Sequence, residues 1–337
     1  MAELIAQFEE AVRNVEPSAD DKGNASDAHE EVRDCLSEDP GLSAWGIETV
    51  LIGSYKRHVS IRRVKDVDVL SKLPDLPDDV APDDVLDAVG TALRSCYPSD
   101  RIEPQDRSFK VLFPGFDLHV DVVPARIADP YLEIPDRRGE DADDSDRGWV
   151  LTNPEELTRL TTEQNEESDG MYVPTVKLVR QSRRTRIGQG QKPGGFFFEI
   201  LTYHAFKGGI FGENIPQLYV SSLAATATQL RGVVDGAPIE DPTMPGRSIS
   251  VRATQDEWER AADLWEQAAR DAATALNEPD VCEAAKLYRS LLGTNGDGDI
   301  VFPMPAACDE DGNRKAIAAV TPGDRSLPEG DRDRPFA

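Results

Sequence analysis

The sequence has few cysteines and no long apolar stretch, and these two shortages exclude several classes of protein. Its four cysteines lie far apart among 337 residues and form no Cys-x-x-Cys pair, so zinc ribbons and disulfide scaffolds have no support. We expect four buried thiols that pack as small apolar groups. No apolar run approaches the ~18 residues that a membrane span needs. The first residues lack the basic start and apolar stretch of a secretory signal, which predicts a cytoplasmic protein.

Positive charge is scarce as well. The chain has 37 Lys and Arg against 63 Asp and Glu, which gives a formal net charge of -26 at pH 7. Broad binding to nucleic-acid phosphates depends on a basic surface, so stable nucleic-acid binding is not expected. An anionic small molecule is compatible with this charge only where basic residues are concentrated locally.

The order of the predicted helices and strands divides the chain into four parts. We expect packing helices over 1–47, a mixed sheet with helices over 48–150, a helical lobe over 151–293 and an extension ending in a flexible tail over 294–337. At roughly 150 residues per domain, this length suits one α/β protein with two lobes and a cleft. The acidic stretch 136–147 is predicted to be an exposed loop.

Three aspartates stand in strand patterns. Asp66 and Asp68 alternate with apolar residues, and Asp121 follows His119 in a second strand of the same kind. Residues two apart in a strand share a face, so the carboxylates of each strand project together. Hard oxygen ligands suit Mg²⁺, and two ions ~3.5–4 Å apart can activate a hydroxyl and stabilise a leaving pyrophosphate. From the strand pattern alone, a solvated sheet face in an Asp-rich protein is an equal alternative.

Two further features are suited to polyphosphate. Gly53 and Ser54 form a step between a buried strand and a short helix, where backbone amides and a hydroxyl can meet a phosphate. Lys177, Arg180 and Arg184 follow one another at helical spacing and share a face. A solvated basic face that balances acidic neighbours is the alternative for this second group.

The combination is more specific than its parts. The stretch from Gly53-Ser54-Tyr55 to Asp66-Val67-Asp68, followed by Asp121-Val-Val-Pro124, resembles the active site of the polymerase-beta-like nucleotidyltransferase superfamily. Within that superfamily it is most similar to the CD-NTases, bacterial relatives of cyclic GMP-AMP synthase in anti-phage CBASS systems. The resemblance extends more loosely to about Gly293. It implies a mixed α/β (α+β) sheet, a C-terminal helical lobe and a cleft between them.

The resemblance also implies roles for the residues that carry it. Asp66 and Asp68 would hold two metal ions, Mg²⁺ or alternatively Mn²⁺. Asp121 would be the third ligand and would help to deprotonate the attacking hydroxyl. Gly53 and Ser54 would grip the donor triphosphate.

The resemblance is looser in the second lobe and at the C-terminus. Either Lys177 or Arg180 would take the place of a family Lys that contacts the triphosphate. Phe196 stands where the family has a Tyr that stacks on the donor base, and Gly195 stands in place of a Ser, so triphosphate contact there is in doubt. The alternative for Phe196 is core packing. The end at Ala337 is similar to C-termini that ubiquitin-transfer-like enzymes conjugate through the last residue. The alternative is a disordered tail that has no function.

The implied reaction is in-line attack of a ribose hydroxyl on the α-phosphate of a nucleoside triphosphate, with release of pyrophosphate. A CD-NTase would thereby make a cyclic oligonucleotide second messenger for a CBASS effector. Two alternatives stay open at this point. One is a nucleotidyltransferase that modifies an RNA end, a protein or a small molecule, including toxin-like members. The other is a catalytically silent nucleotide-binding module.

Overall fold

A mixed seven-stranded sheet forms the centre of the N-terminal lobe in the computed structural model, which describes residues 3–137 and 148–315. The strands are β1 (Glu48–Ile52), β2 (Asp66–Leu73), β3 (Ile102–Pro104), β4 (Phe109–Phe113), β5 (Leu118–Ala128), β6 (Tyr131–Pro135) and β7 (Trp149–Thr152). Their order is β1-β2-β5-β4-β3, with β6 pairing the far end of β5 and β7 pairing β6. The β2–β5 pair is parallel, whereas the other neighbours are antiparallel.

Helices cover the sheet and form the second lobe. In the described ranges they are α1 (Ile5–Val15), α2 (Ala19–Glu38), α3 (Pro40–Ala44), α4 (Gly53–Lys56), α5 (Pro82–Cys96), α6 (Pro154–Glu167), α7 (Tyr172–Arg186), α8 (Gly195–Lys207), α9 (Ile215–Val234), α10 (Gln255–Asn277) and α11 (Val281–Leu292). The predicted α/β class, with a mixed sheet followed by a helical lobe, is confirmed.

Each lobe has its own apolar core. The sheet packs against α2 and α5, whereas α7 to α11 enclose Trp265 and Tyr288. Phe8 of α1 belongs to the helical core, and Val32 of α2 belongs to the sheet core. The N-terminal segment 1–47 therefore contributes one long helix to each lobe.

The chain beyond α11 folds back over the helical lobe. Val301 and Phe302 are fully buried in its core. Asn295 donates from Nδ2 to the carbonyl of Asn14 at 3.0 Å, and Asn14 donates to the carbonyl of Val301 at 3.0 Å. Residues up to 315 are thus integrated into the lobe, and the predicted flexible tail beyond them lies outside the described residues.

The cysteine prediction is wrong. All four cysteines are paired, Cys35 with Cys96 and Cys282 with Cys308, across Cα–Cα distances of 6.2 and 5.7 Å. The first bond joins α2 to the end of α5, and the second joins α11 to the extension. Sequence separations of 61 and 26 residues give no local signal of pairing, because tertiary packing alone brings these positions together.

The predicted exposed loop 136–147 is wrong at its first residue. Asp136 is only 2% exposed and accepts a charged hydrogen bond from Arg107 at 2.7 Å, so a cation makes its burial tolerable. Residues 138–147 lie outside the described residues. In the part of the chain that is described, no helix combines the length and apolar character needed to cross a bilayer.

Candidate active site

The three aspartates lie on one face of the sheet, where β2 and β5 run side by side. Asp68 is directly opposite Asp121, and Asp66 is opposite His119. Neighbouring strands are about 4.8 Å apart, so two carboxylates in register are close neighbours. The intervening Val67 is fully buried on the other face, which fixes the direction of the acidic side chains.

Electrostatic repulsion is built into this face. Burial, followed by the charges of Asp66 and Asp121, raises the pKa of the Asp68 carboxyl to about 7. Arg57 and His119 oppose that rise only in part. The His119 ring lies 3.5 Å from Asp121, between Nε2 and Oδ2. A carboxylate cluster of this kind is incompletely neutralised by the protein itself.

The cluster contains a buried oxygen without a hydrogen-bond partner in the described part of the chain. Oδ1 of Asp121 is buried and receives no hydrogen bond from the described residues. Leaving a buried acceptor unsatisfied costs about 1–3 kcal/mol, and a bound cation would remove that cost. Within the described ranges, no three ligating side chains converge on one point as they stand. Carboxylates that share one face, with a buried oxygen that lacks a partner in these ranges, are nevertheless the type of donor that a hard divalent ion prefers.

The predicted phosphate turn adjoins these carboxylates. Gly53 follows β1 with φ of +73°, and a Cβ atom at this position would overlap Oδ2 of Asp68. Glycine is required here both by the backbone conformation and by the close approach. Ser54 is 9% exposed, and its Oγ lies 3.0 Å from Oγ of Ser60. Its hydroxyl is therefore held at the floor of the cleft, beside the acidic face.

A cleft of about 510 Å³ connects the turn to the helical lobe. Its lining combines the carboxylates, the turn and side chains of the second lobe: Ile52, Gly53, Ser54, Arg57, Asp66, Asp68, Thr152, Asn153, Pro154, Leu157, Arg180, Gly195, Phe196, Glu199, Ile200, Asp241, Thr243 and Ile249. The volume is in the range of small-molecule sites. Acidic, basic and apolar surfaces thus meet in one space.

An ion triad in the wall of this cleft joins the two lobes. Glu199 of α8 is fully buried and accepts from Arg57 Nε at 2.6 Å and Arg57 Nη2 at 3.1 Å. Arg180 of α7 donates from Nη1 to the same carboxylate at 3.2 Å. Glu199 is not among the residues predicted from the sequence, although a lone acid within the apolar run that contains Phe197 and Phe198 is a usable signal.

The two basic candidates for the triphosphate lie in different surroundings. Arg180 lines the cleft, beside Gly195. Lys177 is 6% exposed, donates to Glu16 at 2.8 Å and is not part of the cleft lining. The Arg180 guanidinium lies 3.4 Å from where a Cβ atom at position 195 would lie, which is an ordinary contact distance.

The three adjacent phenylalanines divide between two environments. Phe197 and Phe198 are buried in the helical core, whereas Phe196 is 46% exposed and lines the cleft. The Arg57 guanidinium lies 6.0 Å from the centroid of the Phe196 ring. Part of the Phe196 side chain is therefore accessible from the cleft.

The loop between α9 and α10 completes the cleft, and sequence reasoning did not identify it. Asp241, Thr243 and Ile249 from this loop line the cleft. The loop has no periodic pattern of apolar residues. Its one sequence signal is Ile249, an apolar residue between two serines.

Comparison with known proteins agrees with this architecture. The Second Messenger Oligonucleotide or Dinucleotide Synthetase domain matches residues 2–165. A cyclic AMP-AMP-AMP synthase from an Acinetobacter species is 32% identical over 315 residues, covering 89% of this chain and 86% of the relative. A cyclic AMP-AMP-AMP synthase from Escherichia coli MS 115-1 is 24% identical and covers 81% of this chain and 89% of its own length.

Solved structures share the fold. The Bradyrhizobium diazoefficiens CD-NTase CdnG in complex with GTP has a TM-score of 0.66 at 16% identity, covering 86% of this chain and 95% of that one. The Escherichia coli MS115-1 CdnC structure with ATP has a TM-score of 0.62 at 20% identity, covering 86% and 96%. With the carboxylates, the phosphate turn and the lobes arranged as described, the chain belongs to the CD-NTases, the family of nucleotidyltransferases that synthesise cyclic oligonucleotide second messengers.

Proposed function

We propose that this protein condenses ATP into a cyclic oligonucleotide, with cyclic triadenylate as its product. The observation that carries the proposal is the register of Asp68 against Asp121, directly beside the Gly53–Ser54 turn. The choice of ATP and of three residues is supported by the name of the relative that is 32% identical. Anti-phage defence is the setting that the family suggests, with the cyclic product acting on a CBASS effector.

The family is generally dependent on a divalent metal. In this chain Asp66, Asp68 and Asp121 would hold the metal, and the unpartnered Oδ1 of Asp121 supports that assignment. Two Mg²⁺ ions suit a cluster of hard oxygen donors that also receives substrate phosphates. When bound, they would lower the pKa of the attacking hydroxyl and neutralise charge on the leaving pyrophosphate.

The remaining chemistry belongs to the protein's own groups. Ser54 and the backbone at Gly53 hold the triphosphate, with Arg180 close to the same end of the cleft. Phe196 offers a stacking surface for a base, because every base presents a π face. In each step a ribose hydroxyl oxygen bonds to the α-phosphorus, and the bond from that phosphorus to the β-bridging oxygen breaks. The hydroxyl proton passes to Asp121, and pyrophosphate leaves.

The test is incubation of the purified protein with labelled ATP and Mg²⁺, without any acceptor. The expected product is a ring of three AMP residues, which has no terminal phosphate and therefore resists phosphatase. Its mass is that of three AMP residues joined in a ring, and three pyrophosphates are released for each molecule of product. Only a synthase works without an added acceptor, so parallel reactions with RNA or protein separate it from an enzyme that modifies other molecules. Absence of pyrophosphate with each of the four nucleotides and with every acceptor would reject the enzymatic assignment.

A second part of the proposal concerns the C-terminus. Conjugation of Ala337 by a ubiquitin-transfer-like enzyme stays a prediction of the sequence, since this residue lies outside the described ranges. Intact-mass measurement of the protein co-expressed with such an enzyme would test it. A mass unchanged from that of the free protein would reject it.

A further inference from the structure

The loop between α9 and α10 presents a carboxylate to the cleft that the proposed reaction does not use. Asp241 and Thr243 line the same space as Phe196 and the acidic face. The loop is held in place by His204 of α8, whose Nε2 lies 2.8 Å from the carbonyl oxygen of Glu240. A bond from the Asp241 amide to the carbonyl of Arg247, at 2.8 Å, closes the loop on itself.

The two oxygens of this carboxylate differ. Asp241 is 8% exposed, and its Oδ1 accepts from the Thr243 amide at 2.8 Å and from the Thr243 hydroxyl at 2.6 Å. A carboxylate oxygen has two lone pairs, so Oδ1 is filled. Oδ2 has no hydrogen-bond or ion-pair partner among residues 3–137 and 148–315. The loop therefore adds to the cleft lining an acceptor that is fixed in position and unused within the described part of the chain.

We propose that Oδ2 of Asp241 accepts a hydrogen bond from the exocyclic amine of an adenine base and thereby makes the cleft selective for adenine. This assignment rests on the proposed function, because it places a nucleotide in the cleft. The exposed ring of Phe196 supplies a stacking face, and Ile249 and Leu157 supply apolar lining. A purine base fills such a space better than the smaller cytosine, which also carries an exocyclic amine.

The single free oxygen distinguishes between purines. Guanine presents two adjacent donors, which a carboxylate matches best with both of its oxygens, and Oδ1 is already occupied. Hypoxanthine has a carbonyl oxygen where adenine has its amine, so two acceptors would face each other at Asp241. An unpaired acceptor or a lost hydrogen bond to a charged group costs enough to discriminate by about 10- to 100-fold.

The test exchanges the acceptor for a donor. In Asp241→Asn the amide oxygen can keep both bonds from Thr243, which turns the amide nitrogen toward the cleft. Binding of 2′,3′-dideoxy-ATP and 2′,3′-dideoxy-ITP is measured by calorimetry with Mg²⁺, since neither nucleotide has a hydroxyl that can react. The wild type should bind the adenine nucleotide about 10- to 100-fold more tightly. The variant should lose or invert that preference.

A neighbouring carboxylate provides the control. Glu240→Gln removes the same charge one residue away, at an exposed position outside the cleft lining, and should leave the ratio of the two affinities unchanged. The assignment would be overturned if Asp241→Asn lost affinity for both nucleotides equally, or if the ratio of the two affinities stayed the same as in the wild type. It would also be overturned if the wild type bound neither nucleotide. An intact preference without any cyclic product would instead overturn the proposed function and leave this assignment standing.

Discussion

The acidic face of the sheet and the basic wall of the helical lobe meet in one cleft, yet they are built differently. Backbone register sets the acidic face, because Asp68 and Asp121 oppose each other across parallel strands, and Oδ1 of Asp121 is without a partner in the described ranges. Ion pairs set the basic wall, where Glu199 holds Arg180 of the helical lobe together with Arg57, which follows the Gly53–Ser54 turn. The acids retain unused binding capacity, whereas most of the cations are already engaged.

The largest effect should come from breaking the acidic face. Asp121→Asn should lower product formation by on the order of 10³-fold or more, because the cluster loses a negative charge and one of the two oxygens of a metal-binding carboxylate. The variant should keep the fold, since the amide replaces the carboxylate with little change in size. Pyrophosphate release and circular dichroism measure the two quantities. Metal-dependent turnover close to that of the wild type would reject Asp121 as a ligand.

Breaking the basic wall should instead lower the free energy of unfolding. Glu199→Gln leaves the buried guanidinium of Arg57 without its counter-charge, which costs about 3–5 kcal/mol. Denaturant unfolding measures this loss. Glu156→Gln is the matched control, because its pair with Arg159 is on the surface and contributes at most about 1 kcal/mol. Equal losses in the two variants would show that the buried triad contributes no more to stability than a surface ion pair.

The pH dependence of stability should sharpen the contrast. Folding raises the pKa of Asp68 from 3.8 to about 7, so the folded protein binds this proton more tightly than the unfolded chain does. The stabilisation that comes from the protonated Asp68 is fully present below pH 3.8 and is lost as the pH rises through 7. With EDTA present, Asp68→Asn should therefore be more stable than the wild type at pH 8, by on the order of 4 kcal/mol. The difference should shrink toward pH 5. Thermal melts of both proteins between pH 5 and pH 8 measure this difference. Melting temperatures that change with pH to the same extent in the two proteins would contradict the account.

The smallest expected effect is on the KM for ATP, and it should show whether Arg180 or Lys177 contacts the triphosphate. Arg180→Ala should raise the KM for ATP about tenfold, the equivalent of one charge-assisted hydrogen bond. Lys177→Ala should leave KM within about twofold, because that side chain is engaged by Glu16 outside the cleft lining. Steady-state kinetics compare them. A larger rise in KM for Lys177→Ala would return the triphosphate contact to that residue.

Local patterns predicted the parts of the molecule that depend on local rules. Strand alternation placed Asp66 and Asp68 on one face, and it placed Val67 in the core, because side-chain direction in a strand follows from position alone. The start of α10 follows a local rule as well, because Thr254 and Glu257, three residues apart, form a capping box there. The short strands β6 and β7 were missed, because a few residues beside a turn give no reliable period.

Long-range contacts could not be predicted in this way. Arg57 and Glu199 are 142 positions apart, and nothing near either residue specifies the other. The two disulfides and the approach of Asp241 to the cleft depend equally on the packing of whole helices. The sequence therefore predicted most of the acidic face and little of the wall that faces it.

The most direct test is the anomalous difference map of a crystal grown with Mn²⁺ and an ATP analogue that cannot be cleaved. The account predicts metal peaks coordinated by Asp66, Asp68 and Asp121, with the triphosphate on Ser54. Metal bound elsewhere in the cleft, with Asp121 free of it, would contradict the account.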